Sequence, residues 1–177
     1  GTHGVRAANF AIQKADLVIA IGTRLDTKAT GSPASSFAPN AELHMVDIDP
    51  FELGKMEKIG RPCFTWQTKL ASFMKYLFVT DEEKLQLKKG EFTEWKAMIE
   101  SWKRDYPSVL PSYPPESPYR FMEELGKYLT KDDIVVSDTG CPLAWAMQTL
   151  PFKGRFIDAF NQTPMGYGLG GAIGAAG

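Results

Sequence analysis

Cysteine and histidine are scarce in this sequence. Its 177 residues include two cysteines, Cys63 and Cys141, and two histidines, His3 and His44. The cysteine spacing matches neither a disulfide scaffold nor a metal-binding motif, so we expect free thiols, no metal site and a reducing, cytoplasmic compartment.

An excess of one charge and a long apolar run are also absent. The 20 basic residues nearly balance the 21 acidic ones, for a net charge of -1, and this lack of a basic field argues against nucleic acid as a partner. Apolar runs such as 17–21 and 134–136 are far shorter than the roughly 20 residues that span a membrane, so no membrane partner is expected. Hydrophobic residues still make up 44% of the chain, enough for a core in one domain or two small ones.

Short apolar runs alternate with helical patterns in the first half of the chain. Such alternation predicts an α/β fold with a parallel sheet. The predicted elements are a helix over 7–14, a strand over 17–21 ended by Gly22, a loop over 23–40, a strand over 43–49 ended by Pro50, a short strand at 63–65 and a helix over about 67–78.

A charged helical pattern and a proline-rich stretch follow. The pattern over 80–106 carries Trp95, Ile99 and Trp102 at helical spacing and predicts a solvated connector helix. Five prolines between 107 and 118 favour an extended linker. Beyond it we predict helices over 119–129 and 141–150, strands over 133–138 and 155–159, and a loop over 161–168 leading into a helix of small residues. The predicted parts are therefore 1–79, a connector and linker over 80–118, and 119–177.

Ligands of parallel sheets bind outside the carboxyl ends of the strands. In the first half, Gly22 permits close backbone approach, Arg24 suits a phosphate or a flavin oxygen, and Asp47 at the next strand tip suits a ribose hydroxyl. A structural alternative stays open: an ordinary turn glycine, an ion pair of Arg24 with Asp26 or Asp49, and an Asp47 that only caps the chain.

Two motifs in the second half have weaker functional interpretations. The run from Gly166 to Gly171 formally matches a dinucleotide-binding G-x-G-x-x-G, but close packing of a small-residue helix is the favoured explanation. Cys141 lies at a predicted helix start, where a thiol is activated, and a Cys-His hydrolase is conceivable. A buried, unreactive cysteine is the more common outcome for such a residue.

Several segments together carry a family resemblance. In the first half they are Gly1-Thr-His-Gly4, the run from Ala15 to Asp26, Thr30-Gly31, Phe37-Ala-Pro-Asn40 and Val46-Asp-Ile-Asp-Pro50; in the second half they are Ser137-Asp-Thr-Gly140, Trp145, Met165-Gly-Tyr-Gly-Leu169 and Ala172-Ile-Gly-Ala175. With these segments the chain resembles the acetolactate synthase family of thiamine-diphosphate-dependent enzymes. The resemblance implies the back half of a Rossmann-like central domain followed by the start of a diphosphate-binding α/β domain.

The resemblance also implies site residues. Flavin-containing members bind FAD across the central domain, and the matching positions are His3, Gly22, Arg24, Asp26, Asp47 and Ile48. Thr139, Gly140 and Cys141 match the turn that approaches thiamine diphosphate. Thr163 matches a residue whose carbonyl accepts a hydrogen bond from the cofactor's pyrimidine, and Met165, followed by Gly166, matches the apolar wedge that bends the cofactor.

Some residues depart from the family pattern. Lys28 stands where many flavin members carry a second arginine, and Trp66-Gln67 replaces a Gly-Asp pair. Cys141-Pro142 replaces the Gln-His that bonds the diphosphate, and Asn161-Gln162 replaces a glycine-rich approach to Thr163. Relatives without flavin, and relatives that use other acceptors such as a keto-sugar, therefore stay open as alternatives.

The resemblance places the catalytic machinery outside these residues. The activating glutamate of the family lies upstream of Gly1, and the Gly-Asp-Gly motif that binds Mg²⁺ would follow Gly177. We therefore expect a piece of a larger homodimeric or tetrameric carboligase that decarboxylates pyruvate and joins the two-carbon unit to a keto acid, with no catalytic or metal-binding residue here and no activity alone. The alternative is a non-catalytic nucleotide-binding remnant.

Overall fold

The computed structural model describes residues 1–79 and 92–177 and divides the chain into two compact units. The first unit contains residues 1–2 and 7–105, and the second contains 3–6 and 106–177. Both are built from parallel strands and flanking helices, so the predicted α/β class is confirmed. The predicted domain limits at 79 and 118 stay predictions.

The first unit contains a three-stranded parallel sheet with the strand order β1-β2-β3. Its strands are β1 (Leu17–Ile21), β2 (Glu42–Asp47) and β3 (Phe64–Gln67). Its helices are α1 (Arg6–Lys14), α2 (Thr27–Thr30), α3 (Pro50–Gly54), α4 (Leu70–Val79) and α5 (Thr93–Asp105). Strands β1 and β2 pair with Leu17 opposite Glu42 and Ile21 opposite Val46, so both end at one edge.

The core of this unit lies on one face of the sheet. Leu43 and Met45 of β2 and Ile59 from the segment that follows β2 are fully buried, and Leu53 from the same segment is 8% exposed. Side chains on a strand alternate between faces, and the opposite face of β1 exposes Leu17, Ile19 and Ile21 by 41–49%.

The second unit contains two parallel strands and three helices. The strands are β4 (Ile134–Val136) and β5 (Arg155–Ile157). The helices are α6 (Pro118–Tyr128), α7 (Cys141–Thr149) and α8 (Tyr167–Ala176). Leu143 and Ala146 of α7 are its buried apolar residues. No helix in the described ranges is long and apolar enough to cross a membrane.

Several elements differ from the predicted ones. The predicted loop over 23–40 contains α2 and a short 3-10 turn at Ala34–Ser36, because Asp26 caps α2 by accepting a hydrogen bond from the Ala29 amide at 3.0 Å. Helix α3 and a 3-10 turn at Lys55–Ile59 were not predicted. The helix predicted from about 67 begins at Leu70 because Gln67 still belongs to β3.

The connector also differs in detail. Its described part is α5, and residues 80–91 lie outside the described residues. Trp102 of α5 contacts Phe10 of α1, with ring centroids 5.7 Å apart, so α5 packs on α1 within the first unit. The proline-rich stretch is held rather than freely extended: the Arg120 guanidinium donates to the carbonyls of Tyr113 at 2.8 Å and Pro111 at 3.0 Å.

Arg61 holds the segment before β2 in the same way. Its Nη1 donates to the carbonyls of Pro39 and Ala41, both at 2.8 Å, and its Nη2 donates to that of Phe37 at 3.0 Å. A planar guanidinium can satisfy several carbonyls at once. This contact fixes the approach to the central strand, where Phe37 and Ala38 are buried.

We expect Arg61→Ala to destabilise the protein by about 2–3 kcal/mol, because three backbone carbonyls, two of them in partly buried hydrogen bonds, lose a charged donor. Urea unfolding followed by tryptophan fluorescence measures the change. Arg61→Lys keeps the positive charge but lacks the planar guanidinium, so it should recover only part of the lost stability. Arg104→Ala, at an exposed arginine of α5, is the control, and an equal effect of the two alanine variants would contradict the assignment.

Candidate functional site

The carboxyl ends of β1 and β2 form the first candidate site. The Gly22 amide, just after β1, donates to the Val46 carbonyl of β2 at 2.8 Å. Asp47 is the last residue of β2 and Ile48 follows it, with 66% of its surface exposed. The parallel register therefore brings Gly22 and Asp47 to one edge, where parallel sheets bind ligands.

Gly22 leaves room for a ligand at this edge. Its φ is +60°, and a Cβ built there would meet no atom within 4 Å. The glycine is thus required by the backbone conformation and not by close packing. A ligand can approach the main chain here without meeting a side chain of Gly22.

The acidic residues of this edge hold local backbone. Asp47 accepts from the Asp49 amide at 2.9 Å, and Asp49 accepts from the Phe51 amide at 2.9 Å and caps α3. Asp26 caps α2. Asp47 therefore has the capping role that the sequence analysis gave as an alternative. It uses one carboxylate oxygen, Oδ1, for this hydrogen bond.

Arg24 is paired with Glu52, and not with Asp26 or Asp49 as the structural alternative proposed. The Arg24 Nε donates to Glu52 Oε1 at 3.1 Å, while Lys55 Nζ lies 2.6 Å from both Glu52 oxygens. The Glu52 side chain is only 11% exposed, but Arg24 is 59% exposed. The buried carboxylate thus orients an arginine whose guanidinium faces solvent.

The charges around Glu52 set its ionisation. The hydrogen bond from Lys55 lowers the pKa of the Glu52 carboxyl from its ordinary value of 4.5, and Arg24 acts in the same direction against the opposing effect of burial. A carboxyl with a lowered pKa stabilises the fold above its unfolded-state pKa. This contribution is lost as the pH falls through the folded-state value.

We expect Glu52→Gln to destabilise the protein at neutral pH and much less in acid. The contribution of the Glu52 carboxylate is lost as the pH falls from the ordinary value of 4.5 through the lowered folded-state pKa, so the two proteins should converge in that acidic range. Urea midpoints measured across this pH range test the prediction. The control is Glu100→Gln, which breaks an exposed Glu100–Lys103 pair of the same spacing and should have little effect. A pH-independent gap between wild type and Glu52→Gln would contradict the prediction.

The second candidate site lies at the carboxyl ends of β4 and β5. The Ser137 amide after β4 donates to the Ile157 carbonyl of β5 at 3.0 Å. The turn Thr139-Gly140-Cys141 follows, with Gly140 at φ +84° before α7 begins at Cys141. The predicted turn residues therefore lie directly beyond the sheet edge.

A loop after β5 presents Met165. The Thr163 amide donates to the Ala159 carbonyl at 2.8 Å, and Thr163 has φ +48°, an unusual value for a non-glycine residue. Met165 is 93% exposed. An unbranched apolar side chain is therefore held in solvent between a tight turn and the start of α8.

Asp138 joins the turn to the loop. Its Oδ1 accepts from the Thr139 amide at 2.7 Å and from the Gly166 amide at 3.1 Å. One carboxylate oxygen is thus shared by the two segments that contain the predicted residues. Asp138 was not among the predicted site residues, although it follows a predicted strand and lies within the resemblance segment Ser137-Asp-Thr-Gly140.

The remaining candidates lie elsewhere in the two units. His3 belongs to the second unit, where its ring meets Phe160 edge to face at 5.0 Å. His44 is engaged within the first unit by Glu42 at 2.6 Å and by the Trp66 indole at 3.2 Å. Because both ring nitrogens of His44 have partners, the structure gives no support to His44 as a base for Cys141.

The two thiols are free, as the sequence predicted. Burial raises the pKa of the Cys63 thiol, against the smaller effect of Arg61. The thiolate, which is the reactive form, is therefore disfavoured at Cys63. Among residues 1–79 and 92–177, no three histidine, cysteine or acidic side chains are grouped as metal ligands.

The first site lies in a segment that matches a known family. The family described as thiamine pyrophosphate enzyme, central domain, matches residues 1–65, which include β1, β2 and the residues at their ends. Residues 1–65 are therefore similar to the central domain of thiamine pyrophosphate enzymes.

The whole chain is similar to acetolactate synthase large subunits. It is 34% identical to the subunit of Cyanidium caldarium over 99% of this chain and 30% of that protein. It is 31% identical to the isozyme 1 large subunit of Escherichia coli K12, again over 99% of this chain and 30% of the relative. The Lactococcus lactis subunit is 32% identical over 99% and 29%. The predicted resemblance is confirmed, and the chain spans about 30% of the length of these relatives.

Proposed function

We propose that this chain supplies part of the cofactor site of a thiamine-diphosphate-dependent carboligase of the acetolactate synthase type. The complete reaction would decarboxylate pyruvate and transfer the two-carbon unit to a keto acid or another carbonyl acceptor, such as a keto-sugar. The observation that carries the proposal is the Asp138 oxygen shared by the Thr139 and Gly166 amides, because it joins the two segments that would hold the cofactor.

The residues of the second site fit this cofactor. Met165 is apolar and 93% exposed, and an aromatic ring lying on it would remove that surface from water. The start of α7 after Gly140 favours an anion such as a diphosphate, since backbone amides and the helix dipole point outward there. Thr163, held by Ala159, would present its backbone to the pyrimidine.

The chemistry would be divided between the cofactor and the protein. When bound, thiamine diphosphate supplies the carbanion chemistry that removes carbon dioxide from a keto acid. The role of this chain would be to hold and orient: Met165 supports one face, the 139–141 turn approaches the diphosphate, and the loop excludes water. The catalytic glutamate and the Mg²⁺ ligands would come from other parts of a cytoplasmic homodimer or tetramer.

The first site suits FAD. Gly22 offers open backbone, the carboxylate of Asp47 suits a ribose hydroxyl, and the exposed Arg24 suits a phosphate. Asp26 and Ile48 complete the edge, and the assignment of His3 to the flavin stays a prediction from the family pattern. Glu52 would keep the arginine oriented before the ligand arrives.

A second candidate is nucleotide binding without catalysis. The Gly22–Asp47 edge is formed entirely by β1 and β2, so it needs no residue from the second unit. Such a protein would use this edge alone, and the Met165 loop would have no cofactor to support.

We expect thiamine diphosphate with Mg²⁺ to shift the methyl resonance of Met165 saturably in the 177-residue chain. The methyl of Met147, which is 47% exposed on α7, is the internal control and should not shift. Met165→Ala should weaken binding about tenfold, or about 1.4 kcal/mol, and Met147→Ala should not. Equal shifts at both methyls, or none, would contradict the proposal. Decarboxylation of pyruvate by this chain alone would contradict the proposal that the catalytic glutamate and the Mg²⁺ ligands come from other parts of the enzyme.

Titration with FAD and with ADP separates the two candidates. We expect Arg24→Ala to weaken either ligand about tenfold through the loss of a charged phosphate contact, and Lys14→Ala, at the end of α1, to leave binding unchanged. Flavin fluorescence and calorimetry measure both affinities. A preference for FAD supports the flavin-containing carboligase, whereas ADP binding without that preference supports the second candidate.

A further inference from the structure

Asp138 holds backbone from a distant part of the chain. Its Oδ1 and Oδ2 accept from the Gly166 amide at 3.1 and 2.9 Å, and Oδ2 also accepts from the Gly168 amide at 3.4 Å. These donors lie 28 and 30 residues after the aspartate. Hydrogen bonds to an ionised carboxylate are stronger than those between neutral groups, so Asp138 is a long-range anchor for the start of α8.

The glycines of α8 favour the close approach between this helix and Asp138. A Cβ on Gly168 would lie 3.1 Å from the Asp138 nitrogen and 3.3 Å from its Cβ. A Cβ on Gly171 would lie 2.9 Å from Val136 Cγ1. Small residues therefore bring α8 against the end of β4, which agrees with the packing explanation that the sequence favoured for this glycine run.

Met165 depends on this anchor for its position. Its side chain is 93% exposed and so gains almost no packing of its own. The backbone is held on one side by the Thr163–Ala159 hydrogen bond and on the other by the Asp138–Gly166 hydrogen bonds. Gly166, at φ +89°, allows the chain to turn into the carboxylate immediately after Met165.

We propose that Asp138 is the positioning residue of the Met165 loop: its carboxylate fixes the Gly166 and Gly168 amides and thereby sets where Met165 stands relative to the 139–141 turn. It touches no cofactor in this assignment and acts through the backbone of the loop. The consequence for cofactor binding rests on the proposed function, but the consequence for the loop does not.

Hydrogen exchange measured by NMR on the 177-residue chain tests the anchor directly. In Asp138→Ala, the Gly166 amide should exchange at least about tenfold faster than in the wild type, since its acceptor is gone. Asp138→Asn keeps one acceptor oxygen and should give an intermediate rate, which also serves the test should the alanine variant fail to fold. Unchanged exchange at Gly166 in Asp138→Asn and Asp138→Ala would overturn the proposal.

Asp133 provides a matched control at the opposite end of β4. Its Oδ2 accepts from the Thr130 amide at 2.6 Å and the Thr130 hydroxyl at 2.8 Å. Asp133→Ala therefore removes an acidic cap from the same strand without touching α8. It should leave the exchange rate of the Gly166 amide unchanged. If Asp133→Ala and Asp138→Ala accelerated this exchange equally, the effect of Asp138 would be a general loss of stability, and its positioning role would be overturned.

Thiamine diphosphate titration of the same variants separates this proposal from the proposed function. Asp138→Ala should raise the Kd for thiamine diphosphate at least about tenfold, or about 1.4 kcal/mol. Asp138→Asn should recover part of the lost affinity, and Asp133→Ala should leave the Kd unchanged. If the wild type binds no thiamine diphosphate, the proposed function fails and the exchange rates still decide the anchor. If the wild type binds and Asp138→Ala binds equally well, the positioning role fails and the proposed function stands.

Discussion

The second unit depends on one carboxylate that binds backbone amides from two directions. Helix α8 consists almost entirely of glycine, alanine and a few apolar residues, so it offers few side chains that could pack or hydrogen-bond to fix its start. The Asp138 oxygens supply what the helix lacks, because they satisfy amides at its first turn that have no partner within the helix. A negative charge at a helix N-terminus is also favoured by the helix dipole.

Backbone held by charged side chains recurs throughout the structure. Arg61 collects carbonyls before β2, and Arg120 collects carbonyls of the proline-rich stretch. Prolines have no amide hydrogen, so such a stretch cannot form regular hydrogen-bonded structure, and an arginine fork satisfies its carbonyls instead. Asp138 is the acidic counterpart, since it satisfies amides. In each case one ionised side chain holds several backbone groups of another segment.

The strands could be predicted from sequence, but the long-range bonds could not. The apolar runs of β1 and β2 predict these strands from local pattern, although β2 ends at Asp47 and not at residue 49 as predicted. Helix α3 could have been predicted from Asp49-Pro50, because a capping residue followed by proline at the first helical position is typical of a helix start. The prediction instead used Pro50 as the end of a strand. Arg24–Glu52 and Asp138–Gly166 join residues 28 apart, and no periodicity encodes such pairs before the topology is known.

Asp47 and Asp138 show why the topology decides their roles. Asp47 is the last residue of β2, and Asp138 lies two residues after the end of β4. Asp47 accepts from an amide two residues further along, so its carboxylate stays at the strand tip beside the open backbone of Gly22. Asp138 instead accepts hydrogen bonds from amides at the start of α8, because the glycines of α8 let that helix lie close to the end of β4. An aspartate close to the end of a strand therefore holds its own turn in one unit and a distant loop in the other.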